Sequence, residues 1–282
     1  MDTPEDKFRE VRAALSHVGF PDESVARARI CDVLGERGGI PTYLDNHMLG
    51  VLSRGTSNRG EADMLKLYCA RLIGSEPRFL RWEERQSQLQ TFGFYTEVDY
   101  RGMLYSQGTS APYEWRGQAC FKTVYEIALY PLMLAELRPQ IIVELGAGTG
   151  GSAAWFRDMS VALNVDATVH AIDLNADDRT QPGIVTYRRD CIEWLQEQHR
   201  DRKLVGAPLL VIEDFHGDLE ETLGALDDLL RPGDYLVIED AIPKQAAMAR
   251  ALRNRPYVID SRYTDFFGVN STSAVNGILK RI

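Results

Sequence analysis

Two acidic pairs and one histidine are the residues best suited to chemistry: Glu213-Asp214, His216 and Glu239-Asp240. Each pair closes a short apolar run, Leu209 to Ile212 and Tyr235 to Ile238, that reads as a β-strand. In a doubly wound sheet, ligands sit beyond the carboxyl ends of the strands, so these acids are expected to meet in one crevice. Several buried like charges require a compensating cation. A set of oxygen donors suits Mg2+ or a similar hard divalent ion. Neighbouring strand residues point opposite ways, so only one of Glu213 and Asp214 is expected to be a ligand. The competing reading, equally weighted, makes these acids helix caps or loop hydrogen-bond acceptors. Beside a metal and a substrate hydroxyl, His216 is placed to act as general base. A histidine in a loop without such acids would be read as a surface or packing residue.

The second signal is the run Val143-Glu144-Leu145-Gly146-Ala147-Gly148-Thr149-Gly150-Gly151-Ser152, where a strand gives way to a helix. Glycines there let the backbone turn tightly and approach a ligand. Gly146, Gly148 and Gly151 also satisfy G-x-G-x-x-G, which admits a nicotinamide or flavin cofactor. Glu144 tilts the choice. A carboxylate beside the turn would repel a pyrophosphate but suits the ammonium group of S-adenosylmethionine. Gly146, Gly148, Gly150 and Ser152 are then the expected cradle. Asp173 ends the following strand, where a carboxylate can accept ribose hydroxyls of either cofactor. Asp190-Cys191 follows the third strand and is placed to meet an adenine amino group; an N-cap for the next helix is an equal reading of Asp190.

The elements that must position these groups alternate after Gly117. A helix over Phe121 to Leu137 precedes strand Ile141 to Val143, and a helix starts at Ser152. Strands Thr168 to Ile172 and Ile184 to Tyr187, a helix near Ile192 to Gln198 and strand Leu209 to Ile212 follow. A helix over Leu219 to Leu230, strand Tyr235 to Ile238, a helix over Lys244 to Leu252 and a last strand in Gly277 to Ile282 complete the pattern. This alternation predicts an α/β fold, a Rossmann-like, doubly wound, mostly parallel sheet. Upstream, helical spacing recurs in Phe8 to Val18, Val25 to Leu34 and Met64 to Leu72, whereas Gly93 to Gly117 reads as a long loop or lid. The expected division is a helical N-terminal region with its loop over 1–117 and a cofactor-binding domain over 118–282.

The 282 residues carry 44% apolar and 26% charged side chains, enough apolar material for a sizeable core. A net charge of −9 argues against a nucleic-acid partner, because counterion release needs a basic footprint. The four cysteines, Cys31, Cys69, Cys120 and Cys191, show no paired spacing and predict reduced thiols in a cytoplasmic protein. The acidic start MDTPEDKFRE predicts no signal peptide, and no apolar run is long enough to span a bilayer.

Beyond these local signals, the chain resembles a known family. Trp115-Arg116-Gly117, Lys122, Glu126, Pro139, Ile142-Val143-Glu144 and Gly150-Gly151-Ser152 look like the cephalosporin hydroxylase family of cephamycin biosynthesis. So do Glu213-Asp214-Phe215-His216, Pro232-Gly233-Asp234-Tyr235, Ile238-Glu239-Asp240, Phe267-Gly268-Val269-Asn270 and Asn276-Gly277-Ile278-Leu279-Lys280-Arg281. The resemblance covers the last three-fifths of the chain. The family is related to metal-dependent macrolide-sugar O-methyltransferases. It implies S-adenosylmethionine as methyl donor, a Mg2+ held by an acid of the first pair with Glu239 and Asp240, and His216 as base. Family members often begin the first acidic pair with Asp where this chain has Glu213, which leaves the ligand from that pair open.

The expectation is therefore a metal-assisted O-methyltransferase acting on a small natural-product or sugar-like hydroxyl. Alternatives are N- or C-methylation of a small metabolite, an NAD-dependent oxidoreductase, and a non-catalytic helper protein. Lys122 is expected as a solvated helix residue, its other reading being a contact to an anionic part of the substrate. No membrane partner is expected, and the helical N-terminal region suggests a homodimer or larger assembly.

Overall fold

A computed structural model describes residues 77–92, 96, 98–176, 181–201, 204 and 206–282. The helical stretches expected between Phe8 and Leu72 lie outside the described residues. Two compact units divide the chain: one comprises Arg78–Gln86 and Tyr95–Ile282, the other Met1–Pro77 and Ser87–Phe94. Among the described residues, no helix is long and apolar enough to cross a membrane.

The larger unit is built on an eight-stranded sheet. Its parallel part runs through β8 (Tyr235–Ile238), β7 (Leu209–Glu213), β4 (Ile141–Leu145), β5 (Thr168–Asp173) and β6 (Ile184–Arg188). Beyond β8 the sheet turns antiparallel through β10 (Ile278–Arg281), β9 (Tyr257–Asp260) and β1 (Phe79–Leu80). The doubly wound, mostly parallel α/β expectation agrees with this topology, in which β4 lies at the switch point between β5 and β7. That is where an open α/β sheet presents a ligand crevice.

Both faces of the sheet are covered, so its central strands are apolar on both sides. Val143 and Leu145 pack with Trp194, Leu195, Leu223, Leu226 and Met248. These come from α5 (Cys191–Asp201), α6 (Leu219–Asp227) and α7 (Gln245–Ala251). On the other face, Ile142 packs with Tyr130 and Met133 of α3 (Val124–Leu137) and with Trp155 and Phe156 of α4 (Gly151–Ala162). Helix α3 continues through Pro131. It begins three residues after the expected Phe121, because Thr123 and Glu126 form a capping box that fixes its first turn.

The expected long loop over Gly93 to Gly117 is corrected in part. It holds helix α2 (Tyr100–Tyr105), capped by Asp99 through the Gly102 N–H. It also holds most of a hairpin, β2 (Glu114–Trp115) and β3 (Gln118–Ala119). Arg116 and Gly117 both have positive φ, the conformation a tight two-residue hairpin turn demands. Trp115 Nε1 donates to Asp158 of α4 at 2.8 Å and anchors the hairpin.

Helix α1 (Trp82–Phe92) contributes Arg85 to the larger unit. Its fully buried guanidinium grips Asp265 with two hydrogen bonds, at 2.9 and 2.5 Å, and donates to Asn276 at 3.0 Å. The segment leading into β10 is held by this pairing. Replacing Arg85 with Met takes the countercharge from the buried Asp265 carboxylate, so a loss of about 3–5 kcal/mol is expected, read as a lower urea midpoint.

His170, on β5, stacks on Tyr187 with ring centroids 5.8 Å apart, and burial lowers its pKa below the ordinary 6.5. The native state therefore favours the neutral ring. Stability from this site is complete above about pH 6.5, declines as pH falls below it, and is lost once the depressed native pKa is passed. A melting series from pH 7.5 to 5 should show a smaller loss in His170→Phe than in the parent.

Candidate active site

The turn after β4 sets the geometry. Gly146, Gly148 and Gly150 have φ of 93°, 52° and 93°, a region that suits glycine. A Cβ on Gly146 would lie 2.6 Å from the Asp214 backbone, so this glycine lets β4 and the end of β7 pass close together. A Cβ on Gly151 would lie 2.2 Å from the Ala119 carbonyl oxygen, where the hairpin crosses the start of α4. A Cβ on Gly148 would meet nothing within 4 Å, so the turn has an open side.

Asp173, at the end of β5, accepts the Gly148 N–H at 3.0 Å and the Asn175 N–H at 2.7 Å, tying the turn to the next strand. Asp190 accepts the N–H groups of Ile192 and Glu193 at the start of α5, as an N-cap does. The buried Cys191 thiol faces the Ile172 carbonyl, and burial pushes its pKa up to about 12, so it remains a neutral thiol. Ser152 is buried in the first turn of α4.

Glu144 is completely buried, with Oε1 3.3 Å from the Lys122 ammonium. Burial raises its pKa, and Lys122 is the largest influence opposing that rise. Lys122, expected as a solvated residue, is itself buried. The Thr123 cap starts α3 immediately after it. Its Nζ reaches Glu239 at 2.6 Å and Asp214 at 3.0 Å as well as Glu144. Tyr130 of α3 donates to the second oxygen of Glu239.

The two acidic pairs divide in the same way. Glu213 points to the opposite face of the sheet and pairs with Lys244 at 2.8 Å, and Lys244 also donates to the Glu239 carbonyl. Asp214, one residue beyond β7, and Asp240, two residues beyond β8, are half-buried and come together with His216. One potential ligand atom from each of these three lies within 4.8 Å of the others. His216 Nε2 is 3.7 Å from Asp240 Oδ2. Asp240 and His216 both have positive φ, which turns their side chains at the strand ends.

Thus Asp214, Asp240 and His216 share one rim, Glu213 is engaged by Lys244, and Glu239 is engaged by Lys122 and Tyr130. Two carboxylates on an open rim fit a hard divalent ion that retains water ligands, with the His216 imidazole beside them. Lys244 and Tyr130 were not singled out by sequence. Their roles depend on partners 31 and 109 residues away. Tyr100 is another such residue: after burial, the Asp240 and Glu126 charges raise its pKa, which puts the start of α2 near the acids.

The rhamnosyl O-methyltransferase/CmcI family model matches residues 107–258. A rhamnosyl O-methyltransferase of Mycobacterium leprae is 29% identical over 137 residues, covering 45% of this chain and 59% of that protein. One from Mycobacterium tuberculosis (strain H37Rv) is 26% identical over 165 residues, covering 54% and 66%. The chain therefore spans about three-fifths of the length of the curated relatives it matches. Among solved structures, CmcI with Mg and SAM is 32% identical, with a TM-score of 0.53 over 62% of this chain and 78% of that one. CmcI with SAH is 28% identical, with a TM-score of 0.51 over 73% and 94%.

Proposed function

The chain belongs to the rhamnosyl O-methyltransferase/CmcI family, and from that we propose that it transfers the methyl group of S-adenosylmethionine to a small-molecule hydroxyl, assisted by Mg2+ or a similar divalent ion. The observation that carries this reading is the convergence at the end of β4 and β7. There the glycine turn, open over Gly148, passes against the backbone of Asp214, which shares a rim with Asp240 and His216.

When bound, S-adenosylmethionine supplies an electrophilic methyl group and the divalent ion supplies positive charge that favours an ionised acceptor oxygen. Gly146, Gly148 and Gly150 leave the backbone bare for the cofactor, Asp173 would accept from its ribose, and Asp190 with Cys191 would hold its adenine. Glu144, paired with Lys122, sets the charge beneath the turn, and Ser152 lies buried in the first turn of α4. Asp214 and Asp240 would be the ion's carboxylate ligands. His216 would take the acceptor's proton at its ring nitrogen as the cofactor gives up its methyl group to the acceptor oxygen. Holding the acceptor in line with the methyl group supplies much of the acceleration.

The acceptor in this reading is a sugar-like or natural-product hydroxyl, in keeping with the activities named for the matched relatives. In this reading residues 118–282 act as the cofactor domain, and residues 1–117 supply substrate specificity or a homo-oligomer contact. A cytoplasmic location rests on the cysteine pattern, with Cys120 and Cys191 both free and buried. Methyl-labelled S-adenosylmethionine and a panel of glycosides with adjacent hydroxyls test the reading. Transfer to oxygen that stops with EDTA and returns with Mg2+ is expected; transfer indifferent to EDTA, or to nitrogen or carbon, contradicts it.

A further inference from the structure

The connection from β9 to β10 inverts the ordinary distribution of side chains. Between Tyr263 and Leu279 every residue is buried except Phe266 and Phe267, which are 48% and 40% exposed. The polar groups of this stretch are turned inward. The Asn270 N–H donates to Asp265, which Arg85 grips, and the Phe267 N–H donates to Ser271 Oγ at 3.1 Å. A firmly bonded turn thus holds two phenylalanines against water, their rings edge to face with centroids 4.9 Å apart. Tyr125, in the first turn of α3, meets Phe267 edge to face at 5.9 Å, and Val124 before it is also exposed. Clustered apolar surface of this kind marks a place of contact.

The sheet says where that contact lies. Strand β10 is antiparallel to both β8 and β9, so β9 ends at the same edge as β7 and β8. The β9–β10 connection therefore runs along the edge that carries Asp214, Asp240 and His216. Two hydrogen bonds tie it to that rim. The N–H of Ala241, next to Asp240, donates to the Ser273 carbonyl at 2.9 Å. The Ser273 N–H donates to Glu126, next to Tyr125, also at 2.9 Å.

We infer that Phe266 and Phe267, backed by Tyr125, form an apolar subsite for the part of the acceptor remote from the hydroxyl that receives the methyl group. The inference rests on the O-methyltransferase reading above and deepens it: the acceptor carries an apolar group on its reacting ring. The two phenyl rings offer neither charge nor a hydrogen-bonding side-chain group, so they reward apolar surface taken from water. Binding there, away from the reacting atoms, helps to hold the hydroxyl in place.

Methyl and hexyl α-L-rhamnopyranoside, titrated by calorimetry into the full chain with S-adenosylhomocysteine and Mg2+, test this without turnover. The parent should bind the hexyl glycoside at least about tenfold more tightly. In the double variant Phe266→Ser/Phe267→Ser that ratio should fall to within about threefold of one. Leucine at both positions restores apolar surface and should recover most of it. Both side chains stand outside the core, so the serine variant should keep a nearly unchanged urea midpoint. A parent that binds neither glycoside or shows no preference overturns the inference. So does a serine variant that keeps the preference; if it also sediments at a lower mass than the parent, the face is a contact between copies. The two readings fail separately. A parent that prefers the hexyl glycoside but methylates neither fails the proposed activity, whereas one that methylates both and binds them equally fails the subsite alone.

Discussion

Asp240→Asn is expected to lower kcat/KM for methyl transfer by at least about a hundredfold, while S-adenosylmethionine affinity stays within about threefold. The substitution removes one charge and almost no volume. Asp240 has φ of 45°, a conformation in which Asn is at home, so the backbone at the end of β8 should keep its course. The neighbouring interactions also survive: Glu239 remains on Lys122 and Tyr130, and the Glu239 N–H still donates to the Glu213 carbonyl at 3.0 Å. The effect then falls on the rim shared with Asp214 and His216. Initial rates with labelled cofactor, compared with cofactor binding by calorimetry, check this. A variant with unchanged rate would remove Asp240 from the chemistry, and a variant that also lost cofactor binding would point to a general collapse of the site.

The second large effect separates two glycines of the same turn. Gly146→Ala forces a side chain into φ 93° and puts its Cβ 2.6 Å from the backbone of Asp214. Both costs fall on the protein itself, and together they are expected to destabilise it by about 2–4 kcal/mol and to displace the end of β7. Gly148→Ala differs. Its φ of 52° costs about 1 kcal/mol for an L residue, and the new methyl group meets no protein atom within 4 Å. It projects into the open side of the turn, where the cofactor is proposed to lie. Gly148→Ala should therefore fold with a nearly unchanged urea midpoint and lose at least about tenfold in S-adenosylmethionine affinity. Equal behaviour of the two variants in both assays would contradict this division of labour.

The fold was legible where local patterns suffice. The strands from Ile141 to Ile238 are short apolar runs separated by amphipathic or apolar helical stretches, so the parallel half of the sheet follows from periodicity and topology rules. The antiparallel end was less legible. Strand β9 has four residues and β1 two, and each exists only through its pairing with a neighbour. The hairpin over Glu114–Ala119 was hidden by the glycines and serines around it, although Arg116-Gly117 carries the local signal of a tight turn.

At the site, the position of the acids at strand ends was readable, because it depends on element boundaries. Their partners were not. Which acid faces Lys122 and which faces Lys244 is decided by contacts spanning 31 to 117 residues of chain. Lys122 illustrates the limit. A lysine before a helix reads as solvated by composition, yet the Thr123–Glu126 capping box starts the helix after it and its ammonium lies among three carboxylates. Burial of that charge is sustained by long-range pairing that no local pattern records.

The most direct measurement is a calorimetric titration of the full chain with S-adenosylmethionine, and separately with NAD, each with and without Mg2+. The account predicts saturable binding of S-adenosylmethionine at one site per chain and none of NAD. Binding of NAD in its place, or of neither cofactor, would contradict it.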